Sequence, residues 1–141
     1  MATITCDSTL RSGADVAWAA LRDFGAAGEL FADVLVSCHR DGDDRTVTFA
    51  NGLVVTERLV TIDDAERRFV YAVTDGPFTH HSASMQIVPD GKGCRFVWVS
   101  DFLPDELRYH LLPLADAGCD AFRRNVDRAL GPTRESANDE I

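Results

Sequence analysis

The stretch VVTERLVTIDDAERR, residues 54–68, sets a glutamate and an arginine among valine, leucine and isoleucine. Read as a strand over residues 54–62, it sends successive side chains to opposite faces. Val55, Glu57 and Leu59 then share one face, and Thr56, Arg58 and Val60 the other. A carboxylate on an apolar face is costly unless something hydrogen-bonds it or it stays protonated. Three roles follow for Glu57. It pairs with an inward-pointing arginine or a structural water, it orients a polar group of a ligand, or it acts as general acid or base, a task for which burial tunes a carboxyl toward neutrality. A register shift of one residue would turn Arg58 inward instead. The partner suited to proton transfer is a histidine, which titrates near neutral pH. His81, beside His80 in THHSASMQIV, is that candidate. The plainer alternative makes His80 and His81 an edge-strand pair, one exposed and one packed. His110 belongs at the cavity mouth or on an exposed helix flank, and His39 in solvent. No three of these residues have ligand spacing, so no metal site is expected.

Other chemistries lack their residues. Of the 14 basic residues only Lys92 is a lysine, and it sits in the turn PDGKG, so no buried amine is available for a Schiff base. No G-x-S-x-G elbow, phosphate loop or dinucleotide fingerprint is present, and no cofactor is expected. Cys6, Cys38, Cys94 and Cys119 are far apart with no C-x-x-C pair, which reads as reduced thiols packed as small hydrophobes. A formal net charge of −9 over 141 residues repels phosphate backbones and anionic membranes, so nucleic acid is not an expected partner. No apolar run approaches the roughly 20 residues of a membrane span, so no membrane insertion is expected. The start carries no basic-then-apolar leader, and a cytoplasmic protein is the expectation.

Several elements must position these side chains. TITCDSTL, residues 3–10, alternates: Ile4, Cys6, Ser8 and Leu10 against Thr3, Thr5, Asp7 and Thr9. SGADVAWAALRDF predicts a helix capped by Ser12 or Asp15, with Val16, Ala20 and Phe24 at helical spacing, and AGELFAD a second short one. From Val34 the period is two, and six strands follow in meander order, joined by connectors such as DGDD, DDAE and PDGKG whose residues tolerate positive φ. Residues 104–130 return to helical period, with Leu107, Leu111, Leu114, Gly118, Phe122, Val126 and Ala129 as one stripe. Pro113 is expected to kink this helix or to open its main segment. Residues 1–130 form one domain, and 131–141 a polar, flexible tail. Seven antiparallel strands with one long amphipathic helix bury their apolar face against that helix. A curved sheet gripping one helix seldom fills the space between them, so a cavity is expected.

That order resembles the helix-grip proteins of the START/Bet v 1-like superfamily (SRPBCC), an α+β fold. Within it the chain is similar to the bacterial polyketide cyclase/dehydrase and lipid-transport group. The resemblance rests on VAWAALRDFGAAGELFADVLVSC, RTVTFANGLVVTERLVTIDDAERRFVYAVTDGP and RFVWVSDFLPD, together most of residues 14–104. TERLVTIDD also resembles a segment of plant abscisic acid receptors, whose glutamate lines the hormone pocket. The resemblance implies a cavity-facing role for Glu57 and His81, an inward face of Ala83, Met85 and Ile87, and another of Phe96, Trp98, Ser100 and Phe102. The receptors' pocket lysine would fall near Ala32, and the catalytic lysine of related alkaloid-forming enzymes has no counterpart. The loop DGPFTHH is about two residues shorter than in relatives.

The expected ligand wall is therefore Phe49, Val55, Leu59, Ala83, Met85, Phe96, Trp98, Ser100, Leu114, Gly118 and Phe122, with Glu57 and His81 as proton carriers. Its aromatics either stack on a flat ligand or serve as core. The hairpin ends at residues 51–53 and 75–78 gate the entrance or are simple turns. The implied ligand is hydrophobic, polyketide-like or another cyclic natural product, and the chain a monomer or homodimer. A cofactor-independent cyclase or dehydratase, a carrier or sensor, and an interaction module with a filled cavity are the three functions this allows.

Overall fold

The computed structural model describes residues 1–130; the tail expected over 131–141 lies outside the described residues. The chain begins with strand β1 (Ala2–Leu10), helix α1 (Ala14–Leu21), a 3₁₀ turn (Phe24–Ala26) and helix α2 (Ala27–Leu30). Six strands follow: β2 (Leu35–Asp41), β3 (Asp44–Phe49), β4 (Val54–Asp63), β5 (Arg68–Val73), β6 (His80–Asp90) and β7 (Gly93–Leu103). A second 3₁₀ turn (Asp105–Leu107) leads into α3 (Arg108–Arg128). This is the helix-grip arrangement, one antiparallel sheet with the C-terminal helix against it. Strands β2 to β7 run as a meander, and β1 closes the order β1-β7-β6-β5-β4-β3-β2 by pairing with β7.

Turn chemistry sets the hairpins. Asp41 pairs with Asp44 around a two-residue loop whose Gly42 has φ +63°, and Asp90 with Gly93 around Gly91 at +59°. Both are the left-handed conformations that a tight hairpin needs. Along β4 the alternation holds through Val55, Glu57 and Leu59. A bulge between Leu59 and Thr61 leaves Val60 unpaired and exposed, and brings Ile62 opposite the buried Phe69.

Helix α1 differs from its expected face. Val16 is exposed, while Ala17, Trp18 and Leu21 are buried, because the helix ends at Leu21 and Phe24 enters the core from the 3₁₀ turn. Neither Ser12 nor Asp15 caps it; the N-cap is Gly13, without a side-chain hydrogen bond. Ser12 is engaged elsewhere. Asp127, in the last turn of α3, accepts the backbone N–H of Arg11 (2.9 Å), the backbone N–H of Ser12 (3.0 Å) and the Ser12 hydroxyl (2.8 Å). This clasp ties the end of the long helix to the link after β1.

Helix α3 runs continuously through Pro113, which is exposed. The missing N–H deprives only the carbonyl of Tyr109, on a turn open to water, so nothing forces the helix to start later. Its buried positions include Ala115, Gly118, Cys119, Phe122 and Val126, while Ala129 at its end is exposed. No helix among the described residues is long and apolar enough to cross a membrane.

Asp127→Ala should lower stability by about 3 kcal/mol, since it strands two backbone N–H groups and a hydroxyl in a buried place. Asp127→Asn, which keeps one acceptor oxygen, should lose roughly half as much. Urea unfolding midpoints of the three proteins measure both.

Candidate functional site

Glu57 points into the concave side of the sheet, 7% exposed. Its cross-strand neighbour on β3 is Arg45, 4% exposed, whose Nε donates to Glu57 Oε1 at 2.8 Å. Arg45 Nη1 donates to the carbonyl of Phe24 at 2.9 Å, and its guanidinium lies 4.0 Å from the centre of the Phe24 ring. A buried charge survives when it is paired and hydrogen-bonded, and this pair meets both conditions. Of the readings open for Glu57, an inward arginine is realised; Arg58 faces the opposite way and pairs with Asp44. Arg45 was missed as a named residue, although RTVTF sets Arg45, Val47 and Phe49 on one face. Among the described residues no group donates to Glu57 Oε2, and Glu57 lines both hollows described below.

His81 is buried at 9% and His80 is exposed. The β5–β6 ladder, from Arg68↔Gln86 to Tyr71↔Ala83, would next set Val73 opposite His81. There the imidazole replaces the ladder: the Val73 N–H donates to His81 Nδ1 at 3.0 Å. With Nδ1 an acceptor, the neutral ring carries its proton on Nε2, 3.3 Å from Ser100 Oγ. Burial, aided by the neighbouring His80, pushes the His81 pKa down to about 4. At neutral pH His81 is therefore a hydrogen-bond donor rather than a base or an imidazolium. Glu57 pairs with Val73 on the next strand, so two strand spacings, about 10 Å, separate the Glu57 and His81 backbones. A ligand or water must bridge them.

Both side chains line a hollow of about 510 Å³, its open mouth included. The walls are Ile4, Phe49, Leu53, Val55, Val73, Phe78, Trp98, Leu111, Leu114 and Ala115, with Ser100 as the third polar member. Leu53 and Phe78 come from the hairpin ends named as gates, and Phe78 stands edge-on to His81 at 4.8 Å between ring centres. A second hollow of about 350 Å³, on the same measure, includes Arg45, Met85 and Gly118 and shares Phe49, Glu57 and Trp98 with the first. Trp98 thus stands between them. It fits there because residue 118 is glycine: a Cβ would come within 2.7 Å of the indole.

Of the expected wall, Phe49, Val55, Met85, Trp98, Ser100, Leu114 and Gly118 line one hollow or the other. Leu59, Ala83, Phe96 and Phe122 line neither and belong to the packed core. Phe96 stacks on Phe122 at 4.3 Å, and Phe31 leans on both and on Trp98. Those rings are satisfied by one another. His39 and His110 are exposed. Ile4 and Ala115 were missed as wall residues, because nothing local says which end of a strand or helix borders a void. No group of three or more His, Cys, Asp or Glu among the described residues could hold a metal ion.

Two outcomes test this geometry. Glu57→Ala should cost about 3–5 kcal/mol by leaving Arg45 buried and uncompensated, whereas Arg45→Met with Glu57→Leu should recover most of that loss. Urea unfolding of the single and double variants measures the coupling. For His81, the unfolded ring binds a proton near pH 6.5 and the folded ring only near 4, so its contribution is complete above 6.5 and lost as pH falls toward 4. Wild type should lose about 3 kcal/mol more than His81→Gln between pH 7 and 4, read from urea unfolding across that range.

Comparison with known proteins agrees with this architecture. A solution NMR structure from Thermobifida fusca is 27% identical, with a TM-score of 0.73, over 91% of this chain and 95% of that one. Norcoclaurine synthase from Thalictrum flavum, in complex with dopamine and hydroxybenzaldehyde, is 19% identical, with a TM-score of 0.70, over 89% and 86%. BexL, a di-domain ARO/CYC protein of the BE-7585A biosynthetic pathway, is 13% identical, with a TM-score of 0.78, over 94% of this chain and 48% of that one. These likenesses establish the Bet v 1-like fold. No curated protein sequence matches the chain. The family described as polyketide cyclase / dehydrase and lipid transport matches residues 1–136, and with nearly the whole length accounted for, the chain belongs to that family.

Proposed function

We propose that the protein encloses a hydrophobic molecule of one or two rings, bearing a carbonyl together with either a second carbonyl or a β-hydroxyl group, and cyclises or dehydrates it without a cofactor. The observation that carries this reading is the polarity of the larger hollow. Its walls are apolar except for an acceptor at Glu57 and the donors at His81, two strands away, and Ser100, three strands away. Apolar walls supply affinity and a few placed polar groups set orientation. A substrate carbonyl at Ser100 and His81 Nε2–H would be polarised by neutral donors, which stabilise an enolate oxygen as it forms. Glu57 Oε2 would take the proton from the carbon beside that carbonyl. The enolate carbon then attacks a second carbonyl to close a ring, or expels a β-hydroxyl; the proton on Glu57 goes to the alkoxide or leaves in water. Arg45 offsets the carboxylate's charge at the start and end of the cycle. Ring-sized molecules in norcoclaurine synthase, and the ARO/CYC designation of BexL, support the ligand class.

A carrier or sensor is the second reading, and the Arg45–Glu57 hydrogen bond favours it. A carboxylate already held by a guanidinium is a good fixed acceptor for a ligand hydroxyl, with no reaction required.

The test uses an aryl triketone as substrate and a hydroxyaryl ketone as binding probe, with Glu57→Gln chosen because the amide oxygen still accepts from Arg45. Wild type should accelerate ring closure of the triketone. Glu57→Gln should reduce that turnover about 100-fold or more while keeping probe affinity within about threefold. Leu114→Trp, which fills the hollow, should abolish probe binding. No acceleration by wild type, with probe affinity about tenfold weaker in Glu57→Gln, would establish the carrier. Equal probe binding by wild type and Leu114→Trp would end both readings.

A further inference from the structure

Where β1 crosses the middle of α3, two thiols meet. Cys6 sits half-buried on the inner side of β1, between Ile4 and Ser8, and Cys119 is 3% exposed on α3. Their sulfurs are 2.6 Å apart with nothing between them. The surroundings hold both in place: Cys6 Sγ reaches the carbonyl of Ala115 at 3.5 Å, and the Ser8 hydroxyl donates to the carbonyl of Cys119 at 3.1 Å. All four cysteines are free thiols, but the other two lack this arrangement. Cys94 is fully buried at the start of β7, and Cys38 lies on β2 near the opposite edge of the sheet.

We propose that Cys6 and Cys119 are a reversible oxidation site, closed to a disulfide by peroxide, that fastens the C-terminal helix to the first strand. The pair is asymmetric, as such chemistry needs. Cys6 is the more exposed, and the hydrogen bond from Cys119 lowers its pKa against burial and the charges of Asp116 and Asp7. The same contact, with burial, raises Cys119. Cys6 as thiolate attacks one oxygen of hydrogen peroxide, the O–O bond breaks, and the departing hydroxide takes up a proton as water. The Cys6 sulfenic acid is then attacked by the Cys119 sulfur; the S–O bond breaks and the second hydroxide leaves as water with the Cys119 proton. Two thiols and one peroxide give one disulfide and two waters. A dithiol reductant reverses the step by exchange.

The bond would lie mid-way along an interface whose other ties include packing, the Arg108 hydrogen bond to the Thr3 carbonyl, the Ser8 hydrogen bond and the Asp127 clasp. Cross-linking residues so far apart in sequence removes much freedom from the unfolded chain. Ile4 and Ala115, neighbours of the two cysteines, are wall residues of the larger hollow, so the same bond would fix the distance between two of its walls.

The experiment treats the reduced full-length protein with hydrogen peroxide, then alkylates remaining thiols under denaturing conditions for peptide mapping. The four alkylatable cysteines should fall to two, with a peptide linking Cys6 to Cys119 that dithiothreitol releases. The melting temperature should rise by about 10 °C, and α3 amides should exchange more slowly. Cys38→Ser with Cys94→Ser should behave as wild type, and either Cys6→Ser or Cys119→Ser should form no link. Mapping of wild type with and without dithiothreitol carries the result even if a serine variant folds poorly. Sulfinic acid at Cys6 with Cys119 still alkylated, a link through Cys38 or Cys94, or four thiols left unchanged would each overturn the proposal.

Discussion

A charge pair inside the concave face organises this protein. Arg45 and Glu57 stand opposite each other on neighbouring strands, both nearly inaccessible to water, and each would be untenable without the other. Their bond does more than neutralise. Because Arg45 also holds the Phe24 carbonyl and lies over the Phe24 ring, it anchors the 3₁₀ turn that covers that end of the sheet. Because Oε1 is committed to Arg45, the carboxylate is held with its other oxygen available to the hollow. The polar centre of the site and the closure of the fold are thus one set of contacts.

The hollow follows from geometry. A seven-stranded antiparallel sheet presents more concave surface than one helix can cover, and α3 makes its principal strand contact with β1. Beyond that contact the void is partly filled by aromatic side chains leaning on one another. Phe31, Phe96 and Phe122 brace Trp98, which donates to the Tyr71 hydroxyl at 3.1 Å and leaves space on either side. Glycine at 118 lets the indole lie against the helix backbone. Shape here comes from rigid packing, and polarity from a few side chains that strand register directs inward.

Register also decides what kind of group His81 is. Its ring occupies the place where the β5–β6 ladder would continue, and the Val73 amide fixes its tautomer. Burial is the first cause of its lowered pKa, and the neighbouring His80 adds to it. Many folds of this shape carry unrelated functions, so the shape alone says little about chemistry. In this chain the polar groups lining the larger hollow are an acceptor at Glu57 and neutral donors at His81 and Ser100, two and three strands away.

Much of this was legible in the residues themselves. Alternation placed Val55, Glu57 and Leu59 inward, the Asp-Gly connectors marked hairpins, and the stripe from Leu107 to Val126 marked the gripping helix; all are short-range signals written within a few residues. The same local logic failed at α1, where helical spacing favoured Val16 but the early stop at Leu21 turned Trp18 and Ala17 inward. It also took Ser12 for a cap, when Asp127 from the far end of the chain claims it. Sequence alone determined which residues share a face, because side-chain period is a property of the backbone. Tertiary structure alone decided that Arg45 answers Glu57, that Val73 locks His81 and that Cys6 meets Cys119. The last of these joins residues far apart in sequence, and all three depend on how the sheet pairs, curves and closes on its helix.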